Sequence, residues 1–248
     1  MALAAELRAE ECEINTDVAG TPTADPKVVP DARLLTTISY DEMVELASLG
    51  ARVMHPRAVE IGEIYDMPIR VRSTFAEGAG TLITRRAAME QSKRVRGVAA
   101  EEDVAKLTLV GVPDRPGVAA AIFSPLAEKG ISVDVIIQNV SLHGVTDLSF
   151  TVAGGDLAAA EKLVKKISRE IGAEGVMTDA GVAKVSIVGT GMLGQPGIAA
   201  RMFEALSAAR INIEMISTSE IRITCIVGRE RAKDAVRALH RAYKLDEA

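Results

Sequence analysis

Tryptophan is absent from this chain of 248 residues and aromatic residues make up only 3% of it, which excludes a core built on large rings. Ala, Val, Ile, Leu and Met must fill the interior instead. Cysteine is equally scarce. Cys12 and Cys225 stand far apart without metal-ligand spacing, so there is no disulfide framework, and both read as thiols of a reducing compartment. His55, His143 and His240 are scattered and form no metal motif with each other or with carboxylates. No apolar run reaches the ~20 residues of a membrane span. The N-terminus has neither a positive leader nor a long apolar core, so no membrane partner is expected and the setting reads as cytoplasmic. Positive charge is in deficit: 29 Lys and Arg against 34 Asp and Glu leave a net charge of -5, which argues against a nucleic-acid partner. The basic stretch from Arg85 to Arg96 is interrupted by Glu90 and reads as a solvated connector.

What the chain does have is an internal repeat. AKLTLVGVPDRPGVAAAIF from Ala105 returns as AKVSIVGTGMLGQPGIAARMF from Ala183, with two extra residues between the glycine and the Pro-Gly of the second copy. Residues 107–110 and 185–188 are short β-branched runs and predict strands. Pro116–Gly117 and Pro196–Gly197 each open a helix, with Val118, Ile122 and Leu126 on one face of the first and Ile198, Met202, Phe203 and Leu206 on one face of the second. Gly130 stops the first helix. Strands are expected at 131–137 and 211–216, and again at 147–152 and 221–227. Closing helices are expected at 157–171, with Asp156 as N-cap, and at 231–243. Each copy is thus β-α-β-β-α and one strand short of a ferredoxin-like β-α-β-β-α-β unit. Residues 94–99 and 175–178 are the candidates for the missing strands, and strand exchange between the two units is open. Helices on one sheet face leave the other face to pack on a partner, expected to be the modules of another chain.

Upstream of the repeat, residues 12–16 read as a strand broken by Gly20 and Pro22 and followed by an irregular polar loop. Ser39 and Glu42 form a capping box for a helix that runs to about Leu49 and ends at Gly50. Pro56 starts a further helix, and residues 68–73 predict a strand. The fold class is therefore α/β, or α+β, with tandem ferredoxin-like modules behind an α/β segment, which the resemblance given below implies is part of a larger domain. The expected divisions are 1–90, 91–175 and 176–248.

Asp114 precedes a helix start, where a carboxylate caps free amides; the same amides and carboxylate would also suit the two opposite charges of a free amino acid. Asp134 sits in an apolar strand with Gln138 and Asn139 at its end. Gly189, Gly191 and Gly194 formally match the dinucleotide pattern G-x-G-x-x-G, but the repeat partner lacks it, so no phosphate loop is assigned.

The motifs VGVPDRPGVAA, ISVDVIIQNVS, TDLSFTV, VGTGMLGQPGIAA and INIEMISTSEI resemble the paired ACT domains of aspartate kinases. TDVAGTPTADPKVVPDA is similar to that family's nucleotide-binding stretch, and SYDEMVELASLGARVMHPRAVE to the segment after it. The resemblance implies an amino-acid effector, lysine or threonine or both, bound for feedback inhibition, and assembly as an ACT-mediated homodimer or with a catalytic subunit. It implies effector contacts from Asp114, Arg115, Pro116, Gly117, Val118 and Ala119, and from Ser132, Val133, Asp134 and Gln138. In the second copy it implies Ile198, Ala199, Asn212, Ile213 and Ser219. It places an adenine nucleotide against Thr16, Asp17, Pro22, Thr23, Ala24, Asp25, Pro26 and Lys27, with Arg52 near its phosphates. The family's lysine-bearing glycine-rich motif and its substrate-recognising Gly-Gly-Ser-Asp stretch are not in this sequence. ATP and magnesium are therefore expected to belong to the complete enzyme, this chain holding no cofactor or metal of its own and not catalysing alone. An active kinase and a purely structural dimerisation module are the alternatives.

Overall fold

The computed structural model describes residues 1–50, 53–85, 94–139 and 144–247, which form three four-stranded sheets. The N-terminal segment contributes α1 (Ala2–Glu6), β1 (Cys12–Thr16), β2 (Thr37–Ile38), α2 (Tyr40–Ser48), α3 (Pro56–Ile64), β3 (Ile69–Ser73) and β4 (Thr81–Ile83). Its sheet has the order β1-β3-β4-β2, with β1 parallel to β3 and β4 antiparallel to it. The capping box is formed: Ser39 Oγ accepts from the Glu42 amide and the Glu42 carboxylate accepts from the Ser39 amide, both at 3.2 Å. Arg52 and residues 86–93 lie outside the described residues.

The first module is β6 (Val104–Pro113), α4 (Val118–Glu128), β7 (Val133–Gln138), β8 (Val145–Ala153), α5 (Leu157–Ile171) and β9 (Gly175–Asp179), in the sheet order β7-β8-β6-β9; β5 (Gly97–Glu101) precedes it. The second comprises β10 (Val182–Val188), α6 (Ile198–Ala208), β11 (Met215–Thr218), β12 (Arg222–Gly228) and α7 (Ala232–Ala242), in the order β11-β12-β10-β5. This answers the open question of the missing strands. The strand at 175–179 completes the first module, and β5 pairs antiparallel with β10, from Gly97 against Val188 to Glu101 against Lys184. The expected 91–175 unit therefore does not hold together as one sheet, because its first strand belongs to the second module. The first module is inserted into the second, between β5 and β10.

One local expectation changes. Residues 211–214 lie outside the strand, which begins at Met215. Asp156 is the N-cap of α5 as expected, at the end of a single 3₁₀ turn, but its side chain makes no capping hydrogen bond. Gly130, by contrast, lies two residues past the end of α4 in the left-handed region, where only glycine is free of strain.

Alternation along β6 explains the layering. Ala105, Leu107 and Leu109 face α4 and α5 in a core with Ile122, Leu126, Phe150 and Val164, where Phe123 and Phe150 meet edge to face at 5.3 Å. Val104 faces the other way, into a small cluster with Val135, Val182, Met215 and Ile226 drawn from both modules. Within this chain the modules cover part of each other's open face. The end of the second module's sheet face takes a different partner, since Val188 and Ala99 join the core of the N-terminal segment with Tyr40, Met43, Leu46 and Val71.

Candidate functional site

The effector candidates of the first module fall at two ends of its sheet. Gly117, left-handed at φ 90°, turns the chain from β6 into α4, whose first turn carries amides without intrahelical acceptors. Asp114, Arg115, Pro116, Gly117 and Ala119 are exposed there, while Val118 is buried beneath the helix. The Asp114 amide donates to the Gly144 carbonyl at 2.9 Å, and among the described residues its carboxylate makes no hydrogen bond or ion pair. Gln138 shares this end, since it pairs with Leu148 near the close of β7. Ser132, Val133 and Asp134 lie at the opposite end, where Val133 pairs with Val152, roughly 16 Å along the strand. The second module divides likewise. Ile198, Ala199 and Ser219 stand at the α6 start, with the Ser219 amide donating to the Arg222 carbonyl at 2.8 Å, whereas Asn212 and Ile213 precede β11 beside Ile226.

The Asp134 carboxylate is engaged across the modules. Its carboxylate accepts from Lys184 Nζ at 2.9 Å and lies 4.0 Å from Arg222, while Lys184 also reaches Glu101 at 2.5 Å. Burial by itself would raise the Asp134 carboxyl, but the Lys184 hydrogen bond and charge outweigh it and hold the group below its ordinary value. Burial would likewise depress the Lys184 ammonium, and its bonds to Glu101 and Asp134 raise it instead. The pair has a counterpart across the modules: Lys106 is paired with Glu214. Lys106 and Lys184 are repeat equivalents, as are Asp134 and Glu214, so two crossed ion pairs relate the modules by an approximate two-fold axis. The sequence held this signal, a lysine and an acid recurring at matched positions, but read each acid alone.

The stretch expected to face a nucleotide forms a hairpin, with Pro22 bridged to Leu34 and the Thr23 amide donating to the Arg33 carbonyl at 2.8 Å. Thr23 and Ala24 turn inward. Ala24 and Val29 belong to the second module's core, Thr23 Oγ1 lies 2.9 Å from His240 Nε2, and the Thr23 carbonyl accepts from the Val98 amide at 2.8 Å. Asp17, Asp25, Pro26 and Lys27 are exposed, Thr16 and Pro22 half-buried, and the Asp25 carboxylate accepts from the Lys27 amide at 2.9 Å. Two of the eight described nucleotide candidates therefore anchor the hairpin to the sensing module instead of facing a ligand by side chain. Among the described residues no three His, Cys, Asp or Glu side chains gather to hold a metal, and no helix is long and apolar enough to cross a membrane. Cys225, buried, has its thiol pushed up to about 12.

Comparison with known proteins fits this architecture. Residues 106–172 and 185–243 each match an ACT domain, and residues 1–73 match the amino acid kinase family. Two ACT domains joined to a stretch of amino acid kinase domain define the class. An aspartate kinase of Pseudomonas fluorescens is 50% identical over 99% of this chain, which spans 60% of that protein's length. The regulatory subunit of aspartate kinase from Thermus thermophilus, solved ligand-free, is 44% identical and matches 60% of this chain and 99% of its own, with a TM-score of 0.58. Aspartokinase III of E. coli, 29% identical, matches 97% of this chain and 54% of its own with a TM-score of 0.81 in the structure with aspartate and ADP. The chain belongs to the aspartate kinase family and carries its regulatory ACT part next to a stretch of its kinase domain.

Proposed function

We propose that this chain senses an end-product amino acid, lysine or threonine or both, and through it restrains the phosphorylation of aspartate by ATP in the complete, magnesium-dependent enzyme. The observation that carries the reading is the exposed Asp114 carboxylate, without a protein partner among the described residues, set beside the first-turn amides of α4. A free amino acid presents an ammonium for the first and a carboxylate for the second. The edge strands β7 and β11 support assembly with a second copy or a catalytic subunit, because each is paired on one side only and exposes an isoleucine at the matched positions Ile136 and Ile216. Two unpaired thiols, one of them buried, suit a cytoplasmic setting. Calorimetric titration with lysine, threonine and methionine tests the reading. Heat is expected from lysine or threonine; no heat from any of the three would leave only a structural module.

A further inference from the structure

The glycine pattern Gly189-x-Gly191-x-x-Gly194, and the two residues by which it exceeds its repeat partner, have a structural use that is not phosphate binding. Gly189 and Gly191 pass against the backbone at Arg94 and Val95. A Cβ on Gly189 would overlap the Arg94 carbonyl oxygen, and one on Gly191 would come within 2.9 Å of the Arg94 Cα. That close approach brings Thr190 to the N-terminal segment. Glu42 Oε1 accepts from both the Thr190 amide and the Thr190 hydroxyl, each at 2.8 Å. Its other oxygen accepts from the Ser39 amide and lies 3.9 Å from Arg96 Nε. Glu42 is 2% exposed, so this carboxylate sits out of water at the seam between the two bodies. Helix capping needs only one of its oxygens; the other is given wholly to the second module.

On one side, the loop that holds Thr190 runs directly into α6. On the other, Glu42 is followed on α2 by Met43, whose sulfur accepts from Thr21 Oγ1 at 3.5 Å, and Thr21 opens the hairpin that presents Asp25 and Lys27. We propose that Glu42 is a positioning residue, the latch through which the 189–194 loop of the second module sets α2 and, through α2, the hairpin at 21–35. The hairpin also touches the second module directly, through Ala24 and Val29 in its core, so the Glu42–Thr190 bonds are the route that runs through α2, beside that direct contact. The latch deepens the proposed function and rests on it for the identity of the signal, but not for the mechanical link.

The test uses hydrogen–deuterium exchange on the whole chain and needs no ligand. Gly194 has φ near 66° and open space around a Cβ, so Gly194→Ala strains the loop without a clash. It is expected to speed exchange at the 21–35 hairpin by about threefold or more, since strain of this kind opens structure locally. In the Glu42→Gln background that increment should shrink most, and in Thr190→Val it should also shrink, while Ser39→Ala, which removes the helix cap but leaves Thr190 in place, should retain it. Thr190→Val leaves the cap untouched and so stands if Glu42→Gln folds poorly. An increment independent of Glu42 and Thr190, or no increment at the hairpin in Gly194→Ala alone, overturns the latch. Adding lysine or threonine separates the two ideas. Hairpin protection that disappears in Glu42→Gln with affinity unchanged supports both; absence of any binding sinks the sensing reading and leaves the ligand-free result to decide the latch.

Discussion

The two ACT modules share a fold, a pair of glycine-started helices and a pair of crossed lysine–acid contacts, yet they have diverged at the same place. Between the first strand and the first helix, one copy carries Asp114-Arg115-Pro116-Gly117, exposed and with its carboxylate unengaged among the described residues. The other carries a longer glycine-rich loop whose Thr190 is hydrogen-bonded into the N-terminal segment. The ends equivalent in sequence thus differ, one exposed and one closed on a neighbour. The cores differ in the same sense. The first module fills its own interior with Phe123 and Phe150; the second has Cys225 at the position of Phe150 and completes its core with Ala24 and Val29 from the hairpin. An inserted module is self-sufficient, while its host is built jointly with the segment it contacts.

The largest test of that contrast is in the cores. Phe150→Ala should cost about 3–5 kcal/mol and unfold the first module, whereas Cys225→Ala, a much smaller deletion, should cost roughly 1 kcal/mol. Denaturant unfolding followed by exchange in each module reads both. Next come the crossed ion pairs. Lys184→Ala leaves Glu101 and Asp134 without their partner at a largely buried site and should cost about 1–3 kcal/mol, discounted for the partial exposure of both acids. Lys106→Ala, in the wetter pair, should cost less than about 1 kcal/mol. Equal costs would erase the asymmetry.

The Asp134–Lys184 contact also sets a pH dependence. A carboxyl held below its ordinary 3.8 stabilises the folded chain above that pH and loses this contribution as pH falls through the lowered value. A lysine raised above 10.5 keeps its contribution below that value and loses it only as pH rises through the raised one. Acid should therefore loosen the module interface as pH falls below 3.8 and on through the lowered value, and Lys184→Met should flatten that part of the profile. Thermal unfolding midpoints across the range check it.

Much of this was legible in the sequence because the signals were local or repeated. The repeat gave two modules, Pro-Gly marked both helix starts, and Ser39 with Glu42 gave the capping box. Strand ownership was not legible, because residues 94–99 and 175–178 have similar patterns and only long-range pairing decides between them. Nor was the inward turn of Thr23 and Ala24, which depends on the distant Val98 and His240. Glu42 gave a local signal that was correct and incomplete: the cap accounted for one carboxylate oxygen, and the other found Thr190, 148 residues away.

The sensing reading rests on Asp114, so the most direct measurement is a paired titration of wild type and Asp114→Ala with the amino acid that gives heat. Removing a charged hydrogen bond should weaken binding by roughly 1–3 kcal/mol, with folding stability changed by less than about 0.5 kcal/mol because the side chain is exposed and outside the core. Unchanged affinity in the Asp114→Ala protein would contradict the site.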